Sequence, residues 1–399
     1  MKKRIFLFLI LFSGATLYNF ASAKDLPKAI KKLVDSVEQK YAPDKRTAVF
    51  ELEILKKGKT LTLNGSTSVS KAKAELISSL QENKFKIVDH FRLLPDSSLG
   101  GAVYGVVNLS VANIRKKVSF ASEMMTQALL GTPVKILQEE EWYRVQTPDN
   151  YISWVNTSSI YPMNKAEFNA WNKAEKIVVT SHFGFTYEKP DVNSQTVTDV
   201  VSGDMLKWDG AEGDFYKVSY PDGRKAYLLQ KEGTPESKWV DGKNLCAENL
   251  ISTAKTLMGV PYLWGGMSAK GVDCSGFVRT SMFLNGVILP RDASQMAGVG
   301  QKIDISNGFD NLKPGDLLFF GKKATPEHVE RIIHVAIYMG NMKFIHSQGF
   351  VHISSFNPKD KGYDRYNLNR LVSAGRIIGH IGTTGISTIK TNSFYQPQQ

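Results

Sequence analysis

Cys274 has the setting of a nucleophile. It follows a loop rich in glycine and aspartate, and it opens a segment, 274–284, whose apolar residues predict a helix. The dipole and free N–H groups at a helix N-terminus stabilise a thiolate, which predicts a lowered thiol pKa. The same N–H groups can receive the oxyanion formed during acyl transfer. This position therefore favours covalent catalysis.

Two histidines are placed to assist such a thiol. Of the seven in the chain, His334 begins the apolar run 335–339, and His346 ends the next predicted strand, 343–346. Adjacent antiparallel strands bring such positions within hydrogen-bonding reach. One ring can take the thiol proton while the other holds its tautomer. A lone histidine is more often a satisfied core residue, and His328 and His352 are expected at the surface.

The chain contains only one other cysteine, Cys246. A bridge between Cys246 and Cys274 is the structural alternative, but Cys246 looks like a small buried hydrophobe at a helix start. No Cys/His cluster has zinc spacing and no glycine-rich phosphate loop occurs, so we expect no metal and no cofactor.

The first 23 residues predict a secretory signal peptide. A basic start at Lys2, Lys3 and Arg4 precedes the apolar run 5–12, and small residues at 21–23 suit cleavage before Lys24. The alternative, a membrane anchor, needs roughly 20 apolar residues, more than this run provides. We expect export to the periplasm or beyond, without stable membrane insertion, as a monomer.

The chain is basic, with a formal net charge of +12. Three of these charges lie in the leader, so the mature chain keeps about +9, which suits a polyanionic neighbourhood such as a bacterial wall. Its basic residues are scattered and do not interleave with aromatics, so nucleic acid is not an expected partner.

The pattern of elements predicts a multidomain α+β protein. Residues 24–98 alternate helix and strand and weakly resemble a BON domain. Residues 100–163 and 174–243 are runs of short strands, and aligning 142–145 with 215–218 indicates an internal repeat of about 70 residues. Both runs resemble small all-β bacterial SH3 (SH3b) barrels. Helices followed by strands fill 246–385, and 386–399 are expected to be a loose tail.

The last of these domains carries a specific resemblance. Its motifs, in order, are LMGVPYLWGG at 257–266, DCSGFV at 273–278, LPRDA at 289–293, LKPGDL at 312–317 and IHVAIY at 333–338. They resemble the NlpC/P60 family of cysteine peptidases. The resemblance implies a papain-like α+β fold and a catalytic triad of Cys274, His334 and His346.

Tandem SH3b domains before such a domain resemble the YkfC-type γ-D-glutamyl-L-diamino-acid endopeptidases. That resemblance implies a pocket for a free N-terminal L-Ala, whose substrate-binding residues would be Glu123, Tyr151, Trp264, Asp273, Ser275, Asp292 and Ala293. Ala293 departs from the serine often found there. Each residue has a structural alternative: Asp273 as a helix cap, Tyr151 as a barrel core aromatic, Glu123 as a solvated turn residue.

The expected function is hydrolysis of the γ-D-Glu–diaminopimelate bond of murein peptides that carry a free N-terminal L-Ala, through a thioester. One alternative is cleavage of intact peptidoglycan, with the SH3b domains as wall anchors. Another is a non-catalytic wall-binding protein. A thioester could also pass its acyl group to a nucleophile other than water.

Overall fold

The computed structural model describes residues 26–398, so the predicted signal peptide, residues 1–23, lies outside the described residues. Between these limits no helix is long and apolar enough to cross a membrane. The chain forms two compact units that divide after Leu93, and each is described by itself.

The N-terminal unit is a three-stranded sheet with two helices. Its elements are α1 (Lys28–Tyr41), β1 (Phe50–Lys57), β2 (Thr60–Thr67), α2 (Ser70–Glu82) and β3 (Lys86–Leu93). β1 and β2 form an antiparallel hairpin, and β3 pairs parallel to β2 after the α2 crossover. Ala72, Leu76 and Leu80 recur at every fourth position of α2 and are fully buried, so one face of that helix builds the core.

The C-terminal unit begins with two small antiparallel barrels. The first contains β4 (Tyr104–Val107), β5 (Val111–Arg115), β6 (Met124–Leu129), β7 (Pro133–Glu139), β8 (Trp142–Gln146), β9 (Ile152–Asn156) and β10 (Ile160–Met163). After α3 (Lys165–Lys173), the second contains β11 (Lys176–Val179), β12 (Phe183–Tyr187), β13 (Thr196–Val201), β14 (Met205–Glu212), β15 (Phe215–Ser219), β16 (Lys225–Leu229) and β17 (Gly233–Pro235).

The two barrels have the same topology. Their strand orders are β10-β4-β7-β8-β9-β5-β6 and β17-β11-β14-β15-β16-β12-β13, which coincide when each number is advanced by seven. β8 and β15, the two segments that the sequence alignment superposes, occupy equivalent central positions. The helix between the barrels starts at a capping box formed by Asn164 and Glu167.

Helices followed by an antiparallel sheet complete the chain. The elements are α4 (Glu236–Asp241), α5 (Ala247–Thr256), β18 (Met267–Ser268), β19 (Gly271–Val272), α6 (Cys274–Phe283), β20 (Val287–Ile288), α7 (Ala293–Met296), β21 (Gln301–Ile303), β22 (Leu317–Lys322), β23 (Arg331–Gly340), β24 (Lys343–Gln348), β25 (Phe350–Ser355), α8 (Arg365–Asn369), β26 (Leu371–Arg376) and β27 (Ser387–Thr388). Six strands form one sheet in the order β21-β26-β22-β23-β24-β25. α6 packs on it through Phe277 and Val278, both fully buried.

The last residues of the chain are packed, and the prediction of a loose tail is wrong. β27 pairs with β20, and Phe394 is buried. The Asn172 Nδ2 group of α3 donates to the Phe394 carbonyl at 2.9 Å, and Asn392 Nδ2 donates to the Pro148 carbonyl at 2.8 Å. The segment carries too few apolar residues to show a periodic pattern, but they fill positions beside α3 and the first barrel.

Candidate active site

Cys274 is the first residue of α6, and Asp273 caps that helix. The Asp273 carboxylate accepts the Gly276 N–H at 2.6 Å and the Gly265 N–H at 2.9 Å. The first turn of α6 lies so close to the 262–266 loop that a Cβ on Gly276 would stand 1.9 Å from the Gly266 carbonyl oxygen. The packing therefore requires glycine at position 276, two residues after the nucleophile.

The Cys274 thiol is buried, with 8% of the residue exposed. Burial, followed by the charge of Asp273, raises its pKa to about 12, although the Val335 N–H, Arg291 and the Ser275 N–H act in the opposite direction. The sequence-based prediction of a lowered thiol pKa is therefore wrong. Desolvation of the thiolate outweighs its stabilisation by the helix N-terminus. The depth to which the sulfur is buried depends on tertiary packing.

The two predicted histidines lie side by side on β23 and β24. His334 Nε2 is 2.9 Å from His346 Nδ1. Val335, which directly follows His334, hydrogen-bonds the sulfur of Cys274 through its N–H, so the backbone of β23 beside His334 contacts the thiol. Burial lowers the pKa of His334 to about 4 and that of His346 to about 2. At neutral pH the resting site therefore holds a thiol and two neutral imidazoles.

Arg291 connects the nucleophile's helix to the first barrel, and the sequence reasoning did not assign it a role. Its Nη2 pairs with Asp273 Oδ2 at 2.6 Å, and its Nη1 donates to Ser275 Oγ at 2.7 Å. Its Nε donates to Thr126 Oγ1 of β6 at 2.9 Å. The position of Arg291 within the LPRDA motif was the available signal.

Six of the seven predicted substrate-binding residues fall into two groups. Asp273, Ser275, Asp292 and Tyr151 surround Arg291. Burial lowers the pKa of Arg291, but Asp273 foremost, through its charge and its hydrogen bond, and then Asp292 and Tyr151 raise it overall. Tyr151 is buried, with 2% exposed, whereas Asp292 is half-buried and caps α7. Both oxygens of Asp273 already accept hydrogen bonds from protein groups, which fits its alternative reading as a helix cap.

The second group lies toward solvent. Trp264 is 61% exposed, and the neighbouring Gly265 packs against the Met124 carbonyl of the first barrel. Glu123 precedes Met124; its side chain is 41% exposed and pairs with Lys116 at 3.1 Å. Ala293, the remaining predicted residue, is buried at the start of α7. The loop that carries Trp264 thus meets the strand that follows Glu123.

These elements define a class of enzyme. A thiol at a helix N-terminus, with a hydrogen-bonded imidazole pair on the facing strands, has the parts needed to form and hydrolyse a thioester. Both cysteines are free, so no bridge occupies Cys274. Within residues 26–398 no cluster of His, Cys, Asp and Glu could hold a metal ion.

Comparison with known proteins identifies the family. Residues 259–371 match the NlpC/P60 family, and residues 114–160 match the bacterial dipeptidyl-peptidase Sh3 domain. A gamma-D-glutamyl-L-lysine dipeptidyl-peptidase of Bacillus cereus is 30% identical over 243 residues, which cover 57% of this chain and 68% of that protein. The protein of the same name in Bacillus subtilis is 30% identical over 233 residues, covering 56% and 72%. The chain belongs to the NlpC/P60 family of cysteine peptidases, as its motifs predict.

Solved structures support the fold. An NlpC/P60 family protein from Bacillus cereus superposes with a TM-score of 0.59 at 24% identity, covering 69% of this chain and 99% of that one. An NlpC/P60 endopeptidase from Photobacterium damselae superposes with a TM-score of 0.51 at 15% identity, covering 89% and 93%. The two family matches confirm the presence of an SH3b domain and an NlpC/P60 domain.

Proposed function

We propose that this chain is an exported endopeptidase that hydrolyses the γ-D-Glu–diamino acid bond of murein peptides with a free N-terminal L-Ala. The observation that carries the proposal is the Arg291 guanidinium, which links Asp273 and Ser275, beside the thiol, to Thr126 of the first barrel. This link makes the barrel a wall of the site, so the barrel can select short peptides. The activities in the names of the Bacillus relatives support the same bond class.

The proposed catalytic steps use the triad Cys274, His334 and His346. His346 Nδ1 accepts from His334 Nε2, which leaves the Nδ1 lone pair of His334 to take the thiol proton. Because the resting thiol is neutral, proton transfer accompanies attack of the sulfur on the amide carbonyl.

The remaining steps return the enzyme to its starting state. The N–H groups at the start of α6 stabilise the oxyanion, and protonated His334 gives its proton to the departing amine. Water, deprotonated by His334, then cleaves the thioester and restores the thiol.

Selection of a free amine is part of the proposal. A buried ammonium needs oxygen partners. The carboxylates of Glu123 and Asp292 and the phenol of Tyr151 supply them on the side of the site that faces the first barrel. Lys116 holds Glu123 through an exposed ion pair, which a substrate ammonium can replace at small cost.

A pair of tripeptides tests this selection. L-Ala-γ-D-Glu-diaminopimelate and its N-acetyl form differ only at the amino end, where acetylation removes the positive charge and adds an acetyl group. The free peptide should be cleaved with a kcat/KM about 30- to 160-fold higher, since a lost buried charge-assisted hydrogen bond costs about 2–3 kcal/mol. Equal cleavage of both would remove the free-amine requirement and favour stem peptides of intact peptidoglycan as the substrate.

Export and a monomeric state complete the proposal. The basic and apolar leader and the net positive charge of the remaining chain support export to a wall compartment. N-terminal sequencing of protein recovered from that compartment should begin at Lys24, and light scattering should give the mass of one chain. Recovery of the full-length chain in the cytoplasm would contradict export.

A further inference from the structure

A third histidine continues the pair found at the active site. His352 of β25 lies directly opposite His346 of β24 in the antiparallel register. His346 Nε2 is 3.1 Å from His352 Nε2, and His352 Nδ1 is 2.9 Å from the Phe350 carbonyl oxygen. A chain of three imidazoles therefore runs from the side of the thiol to a backbone carbonyl.

The Phe350 carbonyl determines which nitrogen is the donor in each hydrogen bond between the three imidazoles. A carbonyl oxygen can only accept, so His352 Nδ1 must carry the proton, and in a neutral ring Nε2 is then an acceptor. His346 must consequently donate from Nε2, which makes its Nδ1 an acceptor. His334 in turn donates from Nε2 to His346, and its Nδ1 is left unprotonated.

The resulting tautomer of His334 is the one that the reaction requires. An unprotonated Nδ1 can receive the proton of Cys274, whereas the opposite tautomer would present an N–H to the thiol. Burial lowers the pKa of both His334 and His346, so these two rings are neutral and each has one donor and one acceptor.

Among residues 26–398, His346 has one hydrogen-bond partner besides His334 and His352, and that partner cannot supply the same direction. Ser354 Oγ lies 3.1 Å from His346 Nε2. A hydroxyl can donate or accept equally well, so it is compatible with either tautomer of His346. Of these two partners of His346 Nε2, only His352 is itself hydrogen-bonded to a group that can only accept, the Phe350 carbonyl.

We propose that His352 is a positioning residue that fixes the tautomers of His346 and His334. Its own tautomer is fixed by the hydrogen bond that it donates to the Phe350 carbonyl oxygen. The proposal rests on the assignment of His334 as the base for Cys274. It differs from that assignment in being testable without turnover, because the position of a proton on an imidazole is visible in the ¹⁵N NMR spectrum.

The experiment compares His352→Gln with His352→Met in the full chain. The two side chains have similar length, but only glutamine offers an oxygen that accepts from His346 Nε2. His90→Met, an exposed substitution in the N-terminal unit, is the control for replacing a histidine by methionine. Each protein is labelled with ¹⁵N-histidine and assayed on the free tripeptide.

His352→Met should reduce kcat by up to about fivefold with KM unchanged, because a hydrogen bond worth about 1 kcal/mol no longer opposes the wrong tautomer. Its spectrum should show His334 Nδ1 partly protonated. His352→Gln should restore both kcat and the unprotonated Nδ1 signal. Ser354→Ala should leave the proton of His346 on Nε2.

Unchanged nitrogen signals in His352→Met would overturn the proposal, as would a shift caused by Ser354→Ala instead. If the wild-type chain fails to cleave the tripeptide, the proposed function fails, while the nitrogen spectra still decide the role of His352.

Discussion

Substituting either partner of the Asp273–Arg291 ion pair should destabilise the protein while moving the pKa of the Cys274 thiol in opposite directions. Arg291 Nη2 lies 2.6 Å from Asp273 Oδ2, and the two side chains are only 1% and 10% exposed. Removing one partner leaves the other as a buried, uncompensated charge. The pair also lies beside the nucleophile, so its two charges act on the thiol with opposite signs.

The size of the effect follows from this burial. Breaking a buried pair by removing one partner costs about 3–5 kcal/mol, whereas removing both charges together costs less. Asp273→Asn keeps a good helix cap. The loss of unfolding free energy that it causes therefore reflects the broken ion pair and not a lost cap of α6. The double variant with Arg291→Met should be more stable than the sum of the two losses predicts, by about 2–3 kcal/mol.

The effect on the thiol is separate from the effect on stability. Asp273 raises the pKa of Cys274 and Arg291 lowers it. Asp273→Asn should therefore lower the thiol pKa and speed alkylation by iodoacetamide at pH 8. Arg291→Met should raise the thiol pKa and slow alkylation at the same pH.

Two assays on the same four proteins measure both effects. Urea unfolding gives the free energies of the double-mutant cycle, and the pH dependence of alkylation, read by mass spectrometry on the Cys274 peptide, gives the thiol pKa. Additive stability losses, or thiol pKa shifts of the same sign in both single variants, would refute this account of the site's electrostatics.

Three further predictions concern acid stability, the C-terminal segment and the substrate pocket. The unfolded chain protonates His334 and His346 near pH 6.5, but their folded pKa values are about 4 and about 2. Their contribution to stability is therefore present above pH 6.5 and is lost as pH falls toward 4 for His334 and toward 2 for His346. The urea-unfolding free energy should fall by about 1.4 kcal/mol per pH unit for each ring, and His346→Gln should remove one ring's share; an unchanged slope would contradict the low pKa of His346. Phe394→Ala should cost about 3–5 kcal/mol in the same assay, while exposed Lys390→Ala should cost under about 1 kcal/mol; equal small losses would mean that the C-terminal segment is not packed in solution. Glu123→Gln should raise KM for the free tripeptide roughly fivefold with kcat retained, and steady-state kinetics with an unchanged KM would remove Glu123 from the pocket.

Local patterns allowed much of the fold to be predicted. Alternating apolar residues and regularly spaced turns identified the two runs of short strands, because a half-buried strand has a period of two that is visible in sequence. The pairing of His334 with His346 was also accessible, since two consecutive strands joined by a tight turn have a nearly fixed register.

The features that were missed depend on contacts distant in sequence. The raised pKa of Cys274 comes chiefly from burial of its sulfur among residues distant in the sequence, which no local pattern encodes. Arg291 acquires its role only when β6 brings Thr126 to its Nε. His352 was expected at the surface; its contact with His346 depends on the register of β25, which follows a further turn. Phe394 packs on residues far from it in the chain.

The central claim is that Cys274 carries the acyl group of the substrate. Rapid acid quenching of the enzyme with L-Ala-γ-D-Glu-diaminopimelate, followed by digestion and mass spectrometry, tests it most directly. The account predicts that the Cys274 peptide gains the mass of an L-Ala-γ-D-Glu acyl group, that the Cys246 peptide does not, and that Cys274→Ala yields neither adduct nor product. Product formation by Cys274→Ala, or an acyl group on another residue, would contradict it.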